Sequence, residues 1–248
     1  MNDEVLYSRL TPSAFAARLQ RAPIAYLPLG TLEWHGEHLP LGSDGLQSQG
    51  FFAAVARRAG GIVLPMLFLG PDRAMEVNGK AYYGMDYWRY PDVPPRQLEG
   101  SAYRIPENLF VALLEAILEQ LERAGFRIVC AHGHGPSTAT FRDRIAEWES
   151  RFRLRLFICW REDESDGLGI QTDHAAANET SLMMALHPDL VHMENLPADP
   201  DEWPEAVGGR DPRVHANPDA GRKAINLQAD RMAELLRAAL GELDQRPA

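Results

Sequence analysis

Residues 27–44 read LPLGTLEWHGEHLPLGSD, and the fold follows from how this stretch begins. Its first residues complete an apolar run, Ile24–Leu29, with the length and character of a strand buried on both faces, and Gly30 closes it. The chain then turns abruptly polar, offering Glu33, His35, Glu37, His38 and Asp44 in quick succession. A continuous apolar strand belongs to a parallel sheet covered by helices. In such sheets ligands gather outside the carboxyl ends of the strands, where this polar cluster falls.

The segments on either side fit that reading. Thr11 or Ser13 is placed to cap a helix over Ala14–Arg21. Leu46–Arg58 has the apolar spacing of an amphipathic helix closed by Gly60 and Gly61, and Ile62–Leu67 reads as a second buried strand. Phe68–Tyr103 is rich in Gly, Pro, Tyr and Asp without helical period, so a long irregular excursion facing substrate is expected. Its Tyr82, Tyr83, Tyr87, Trp88 and Tyr90 suit a lid, a subunit contact or plain packing. Pro106–Ala124 reads as a helix stopped by Gly125. There follow a strand over Arg127–Ala131, a helix over Thr138–Phe152, a strand over Leu154–Trp160 and a helix over Ala175–Ala185. Asn195–Asp219 is turn-rich, and Ala220–Leu243 forms a long amphipathic helix. Strands alternating with helices predict an α/β fold, a mainly parallel sheet with helices on both faces. With no internal repeat or low-complexity linker, residues 1–248 are expected to form a single domain.

Bulk properties narrow the function classes. The 248 residues are 45% hydrophobic and 24% charged, with a formal net charge of -10. An acidic surface argues against nucleic acid or an anionic membrane as partner and leaves a small molecule. Cys130 and Cys159 lie in the apolar stretches RIVCAHG and LFICW, where buried thiols are expected rather than a disulfide. The start MNDEVLYSRLTPSAF has neither a basic opening nor a long apolar run, so no signal peptide is expected. No segment reaches the roughly 20 apolar residues of a membrane span. A cytoplasmic protein is the expectation.

Two further clusters join the first. IVCAHGHGPST, residues 128–138, is again a buried strand emptying into a Gly-spaced loop, with His132 and His134. TDHAAANETSLMMAL, residues 172–186, sets His174 and Glu179 beside apolar helix formers. Glu33 and His35 are two apart and project to one side of an extended chain. Carboxylates and imidazoles together suit zinc, manganese or iron. A solvated polar loop is the plain alternative for the first cluster, surface histidines for the second, and helix-end electrostatics for Glu179. The HExxH pattern, a Walker A loop, a GxSxG elbow and a GxGxxG fingerprint are all absent.

Taken in order, LPLGTLEWHGEHLPLGSD, HGHG at residues 132–135, HAAANETSLMMALHPDLV at residues 174–191 and GRDPRVHANPDAG at residues 209–221 resemble the creatininase (creatinine amidohydrolase) family. The resemblance implies an α/β fold with two divalent metal ions at the carboxyl end of the sheet, often in hexamers. By position, Glu33 and His134 would hold one ion, His35 and Glu179 the other, and Asp44 would bridge them. His174 would move protons to the leaving group. His38 would orient a ligand from behind, and Trp160 would line the substrate pocket or pack in the core. The implied activity is a dinuclear metal-dependent hydrolase, with a metal-activated hydroxide attacking the carbonyl of a small cyclic or N-acyl amide.

Gly135 and Pro136 stand where creatininase itself has a tyrosine and a glutamate. A catalytic carboxylate and an aromatic wall are thus missing, which argues against creatinine as substrate. Two other family activities fit the same residues: opening a cyclic polyol ketone of the 3-dehydro-scyllo-inosose type at a C–C bond, and removing a formyl group from a formamide. A non-catalytic ligand-binding or scaffold protein is the non-enzymatic alternative. It would need broken ligand positions, and all five are present.

Overall fold

The computed structural model describes residues 4–87, 94–159 and 168–245. Its main sheet has four parallel strands in the order β2-β1-β5-β6. These are β1 (Ile24–Leu29), β2 (Ile62–Val63), β5 (Ile128–Gly133) and β6 (Arg155–Ile158), while β3 (Ala74–Val77) and β4 (Lys80–Tyr83) pair separately as an antiparallel hairpin. The helices are α1 (Pro12–Arg21), α2 (Ser43–Ala59), α3 (Glu107–Ala124), α4 (Gly135–Arg142), α5 (Ile145–Arg151), α6 (Ala177–Leu186), α7 (Pro212–His215) and α8 (Pro218–Asp244).

Strand alternation sorts the core into two layers. Ile24, Tyr26, Ile128 and Cys130 face Phe51, Phe52 and Val55 of α2 and Ala229, Met232 and Leu236 of α8. Ala25, Leu27, Leu29, Val129 and Ala131 face Phe110, Leu114 and Leu118 of α3, together with Phe141 and Trp148. Every residue of β1 is buried, as expected for a central strand covered on both sides. Each large apolar side chain removed from water contributes about 1.5–3 kcal/mol before the entropic cost of ordering it. The mainly parallel α/β sheet read from the sequence is therefore the observed one. Cys130 and Cys159 are buried free thiols. Among the described residues no helix is long and apolar enough to cross a membrane.

Several boundaries differ from the sequence expectation. Helix α2 begins at Ser43 rather than Leu46, because its first turn is polar and carries no apolar signal; Ser43 Oγ donates to the Pro40 carbonyl. The strand expected over Ile62–Leu67 pairs regularly only at Ile62–Val63. Pro65 lacks an N–H for the ladder, and the chain re-pairs beyond it through Leu67 N–H to the Pro28 carbonyl, 3.1 Å, and Gly30 N–H to the Leu67 carbonyl, 2.7 Å. The single helix expected over Thr138–Phe152 is two, parted at Asp143 and Arg144. The excursion is not irregular throughout. Asn78 and Gly79 both adopt positive φ (53° and 76°), the requirement of a tight hairpin turn joining β3 to β4. Asp86 then accepts from Tyr83 N–H and Leu98 N–H and links the end of β4 to the chain at Leu98. Trp88, Tyr90 and Trp160 lie outside the described residues.

Candidate metal centre

Two close backbone approaches build the site. Where β1 ends, a Cβ on Gly30 would lie 2.8 Å from Gly45 Cα, so only glycines let the first turn of α2 seat against the strand end. That seating delivers Asp44. Where β5 ends, Gly133 takes φ +140° with no room for a Cβ beside the Leu29 carbonyl. The turn sends the two loop histidines apart. His132 packs by the rings of Phe51 and Phe52, its Nδ1 3.2 Å from Ser48 Oγ. His134 enters the cluster instead. Glu33 and His35 come from the loop after β1, and Glu179 from the first turn of α6.

The structure brings Glu33, His35, Asp44, His134 and Glu179 together. They form two groups, Glu33–Asp44–His134 and His35–Asp44–Glu179, whose ligand-capable atoms lie within 4.8 Å of one another in each group. Asp44 is common to both. Its Oδ2 is 3.0 Å from His134 Nδ1, and its Oδ1 is 3.3 Å from His35 Nε2. His134 Nδ1 is also 3.2 Å from Glu33 Oε1, and His35 Nε2 is 3.7 Å from Glu179 Oε2. His35 Nδ1 donates to the Glu33 backbone carbonyl at 3.0 Å, which fixes the tautomer and leaves Nε2 as the nitrogen facing the carboxylates.

None of the five is more than 5% exposed, so water does not solvate this charge. Burial alone would lower the pKa of His35, but Asp44, Glu179 and Glu33 outweigh it and hold the ring up at about 10. Burial likewise opposes the charge on His134, which Glu33 and Asp44 raise well above its ordinary value. Asp44, despite burial, is held well below the carboxylate range by His35 and His134. Glu179 is pushed well up by burial, against the pull of His35 and with Asp44 adding to the rise. Three carboxylates in so small a buried volume require positive charge between them. Protonated imidazoles supply it here. Divalent cations, bound by the same oxygens and by deprotonated nitrogens, would also supply it, and the mixed oxygen and nitrogen set suits zinc or manganese.

The groups open on a cavity of about 480 Å³ lined by Glu33, Asp44, His134, Glu179 and His174, and further by Asp72, Arg73, Met85, Pro136, Gln171 and Asp173. His174 stacks on the His35 ring, centroids 4.4 Å apart, and its Nε2 donates to the Trp34 carbonyl at 2.8 Å. Its Nδ1 is therefore the nitrogen with a free lone pair. His38 Nε2 meets Thr180 Oγ1 at 2.9 Å, bracing the residue after Glu179. Asp72, Gln171 and Asp173 were not among the residues picked out from sequence. Asp72 Oδ1 lies 3.8 Å from His134 Nε2, and burial followed by the Glu33 charge raises its carboxyl to about 6. Asp173 spends both oxygens on Asn178 and Glu179 N–H at the start of α6. Asp72 sits in the excursion, far from any motif; Gln171 and Asp173 flank His174 but are common loop residues.

Comparison with known proteins agrees with this geometry. Residues 8–242 match the creatininase family model, described as creatinine amidohydrolase. Among curated proteins, creatinine amidohydrolase of Pseudomonas putida is 26% identical over 216 residues, 79% of this chain and 77% of that protein. A mycofactocin precursor peptide peptidase of Mycolicibacterium smegmatis is 24% identical over 178 residues, 70% of this chain and 62% of that protein. Among solved structures, a manganese form of creatininase superposes with a TM-score of 0.72 at 21% identity, covering 95% of this chain and 98% of that one. A mutant creatininase of Zn–Zn type gives the same TM-score, identity and coverage. With the family model matched over most of its length, this chain belongs to the creatininase family, a family of metal-dependent amidohydrolases.

Proposed function

We propose that the chain, acting as one metallohydrolase domain, is a dinuclear enzyme that hydrolyses the C–N bond of a small cyclic or N-acyl amide. The observation that carries this reading is the pair of buried three-residue groups sharing Asp44 at the mouth of one cavity. Glu33, Asp44 and His134 would hold one divalent cation; His35, Asp44 and Glu179 would hold the other. When bound, the cations supply Lewis acidity, polarising the substrate carbonyl and acidifying water. Both relatives, a creatinine amidohydrolase and a mycofactocin precursor peptide peptidase, are named for C–N bond cleavage, which favours an amide substrate over the opening of a polyol ketone.

The chain's own residues do the rest. Asp72, Arg73 and Met85 of the excursion line the cavity, whose volume suits a small substrate. An amide nitrogen leaves readily only once protonated, and His174 lines the cavity with Nδ1 unspent, so it is positioned to take a proton from the attacking water and pass it to that nitrogen. His38 acts at one remove, holding Thr180 and with it the turn that presents Glu179. The test is a screen of cyclic amides, formamides and inososes with protein loaded separately with zinc and manganese. Ring opening of a cyclic amide or release of an acyl group is expected. Exclusive cleavage of an inosose would replace the amide reading with C–C hydrolysis, and a preparation that binds no metal would point to a scaffold.

A further inference from the structure

We propose that Gln171 is a positioning residue for Asp44, and that it supports the His35–Glu179 side of the centre in preference to the Glu33–His134 side. This rests on the dinuclear reading above. Gln171 Nε2 donates twice to Asp44, to the backbone carbonyl at 3.0 Å and to Oδ1 at 3.1 Å. The orientation of the carboxamide is forced. Turning it over would set Oε1 against two oxygens that can only accept. Oε1 itself is buried without a partner, so the side chain is held by its donor end alone. The backbone carries a cost as well, since Gln171 sits at φ +56°, a region L residues with side chains avoid. A strained residue with an unsatisfied oxygen persists where its surroundings over-determine it, and here what it reaches is Asp44.

The two oxygens of Asp44 are not equivalent. Oδ2 faces His134, in the group with Glu33, whereas Oδ1 faces His35, in the group with Glu179. Of these two carboxylate oxygens, Gln171 donates to Oδ1. A carboxylate oxygen has two lone-pair directions, so Oδ1 can accept from Gln171 with one and serve the His35–Glu179 side with the other. The bond aims that oxygen and opposes rotation of the carboxylate about its Cβ–Cγ bond. Supporting bonds of this kind change metal affinity by roughly 10–100-fold when removed.

The experiment is a calorimetric titration of metal-free protein with manganese and, separately, zinc, comparing wild type with Gln171→Met. Methionine keeps the length of the side chain and removes the donor. Gln171→Gly, which accepts positive φ without strain, is the second variant should methionine fold poorly. The wild type is expected to show two binding steps. In the variant one step should weaken about 10–100-fold and the other stay within about twofold, with the circular dichroism of the metal-free protein unchanged. The same substitution in a Glu179→Ala background, where the Oδ1-side cation is already weak, should change the remaining step by less than about twofold. Equal weakening of both steps, no weakening of either, or a full further loss in the Glu179→Ala background each overturns the proposal. A wild type that binds no divalent cation fails the dinuclear reading instead. A wild type that binds two, matched by Gln171→Met, fails this inference alone.

Discussion

His134 Nδ1 lies 3.0 Å from Asp44 Oδ2, joining the end of β5 to the first turn of α2 across 90 positions of sequence. The contact exists because the two glycine approaches at Gly30 and Gly133 bring those chain ends together. The other oxygen of the same carboxylate lies 3.3 Å from His35 Nε2, so Asp44 is shared by the Glu33–His134 and His35–Glu179 groups.

That sharing predicts an asymmetry between two alanine variants. Asp44→Ala removes an oxygen from both groups and should abolish binding of both cations, whereas Glu179→Ala should lose mainly the one on the His35 side. Elemental analysis of the purified variants checks this. Full metal occupancy in Asp44→Ala would show that the carboxylate bridges nothing.

Without metal, the centre should make stability depend on pH in a defined direction. Folded His35 titrates at about 10, against roughly 6.5 when unfolded. Between those values the folded chain keeps a proton that the unfolded chain releases, so its contribution is complete below about pH 6.5 and is lost as pH rises toward 10. Asp44, held well below its ordinary value, works in the opposite direction and loses its contribution only on acidification below about pH 4. Chelator-treated protein should therefore show a Tm that falls steadily from neutral pH to about 10, while protein whose cations replace those protons should hold its Tm over the same range. Melting curves at fixed ionic strength test it, and a flat profile for the metal-free protein would contradict the charge assignment.

How much of this was legible beforehand depended on whether the signal was local. β1 is an uninterrupted apolar run, and its burial on both faces leaves a mark at every position. The three polar clusters could be picked out because each follows or borders a buried element, but they also held Glu37, His38, His132 and His174, and it was the family resemblance that singled out the five. The start of α2 was hidden, since Ser43, Asp44 and Gly45 carry no apolar periodicity and owe their conformation to contact with the strand end. The β3–β4 hairpin was readable in principle from Asn78-Gly79, but its strands are mostly exposed and lack the alternation that a half-buried sheet imposes. Gln171 and Asp72 could not have been found from the sequence, because their roles come from long-range placement beside Asp44 and His134.

Substrate choice is the third prediction. Gly135 and Pro136 line the cavity directly after His134, and neither offers a carboxylate or an aromatic ring. Creatinine is therefore expected to be turned over poorly by metal-loaded protein that hydrolyses its own substrate well. Steady-state measurement of kcat/KM for creatinine beside the best substrate from the amide screen decides the matter; comparable values would mean that another cavity residue replaces both missing groups.

The last prediction concerns His174. Its Nε2–H is committed to the Trp34 carbonyl, and its ring lies flat against His35, so the imidazole is held in one orientation with Nδ1 unspent. In the metal-free protein burial, reinforced by the positive charge on His35, lowers its pKa and favours the neutral ring, the form able to accept a proton before returning it. His174→Ala removes that proton carrier but none of the five residues proposed to hold metal. It should keep both cations and the fold while losing roughly 10²–10⁴-fold in kcat, the range for a positioned acid or base. His174→Gln, which can still donate to the Trp34 carbonyl but cannot shuttle a proton, should lose nearly as much. If glutamine restored activity, the histidine would be a structural prop. Since His174 also lies within reach of Glu33 and His35, metal content must be measured on the same preparations. Loss of an ion in step with turnover would make it a ligand, and near-normal turnover at full occupancy would remove it from the reaction.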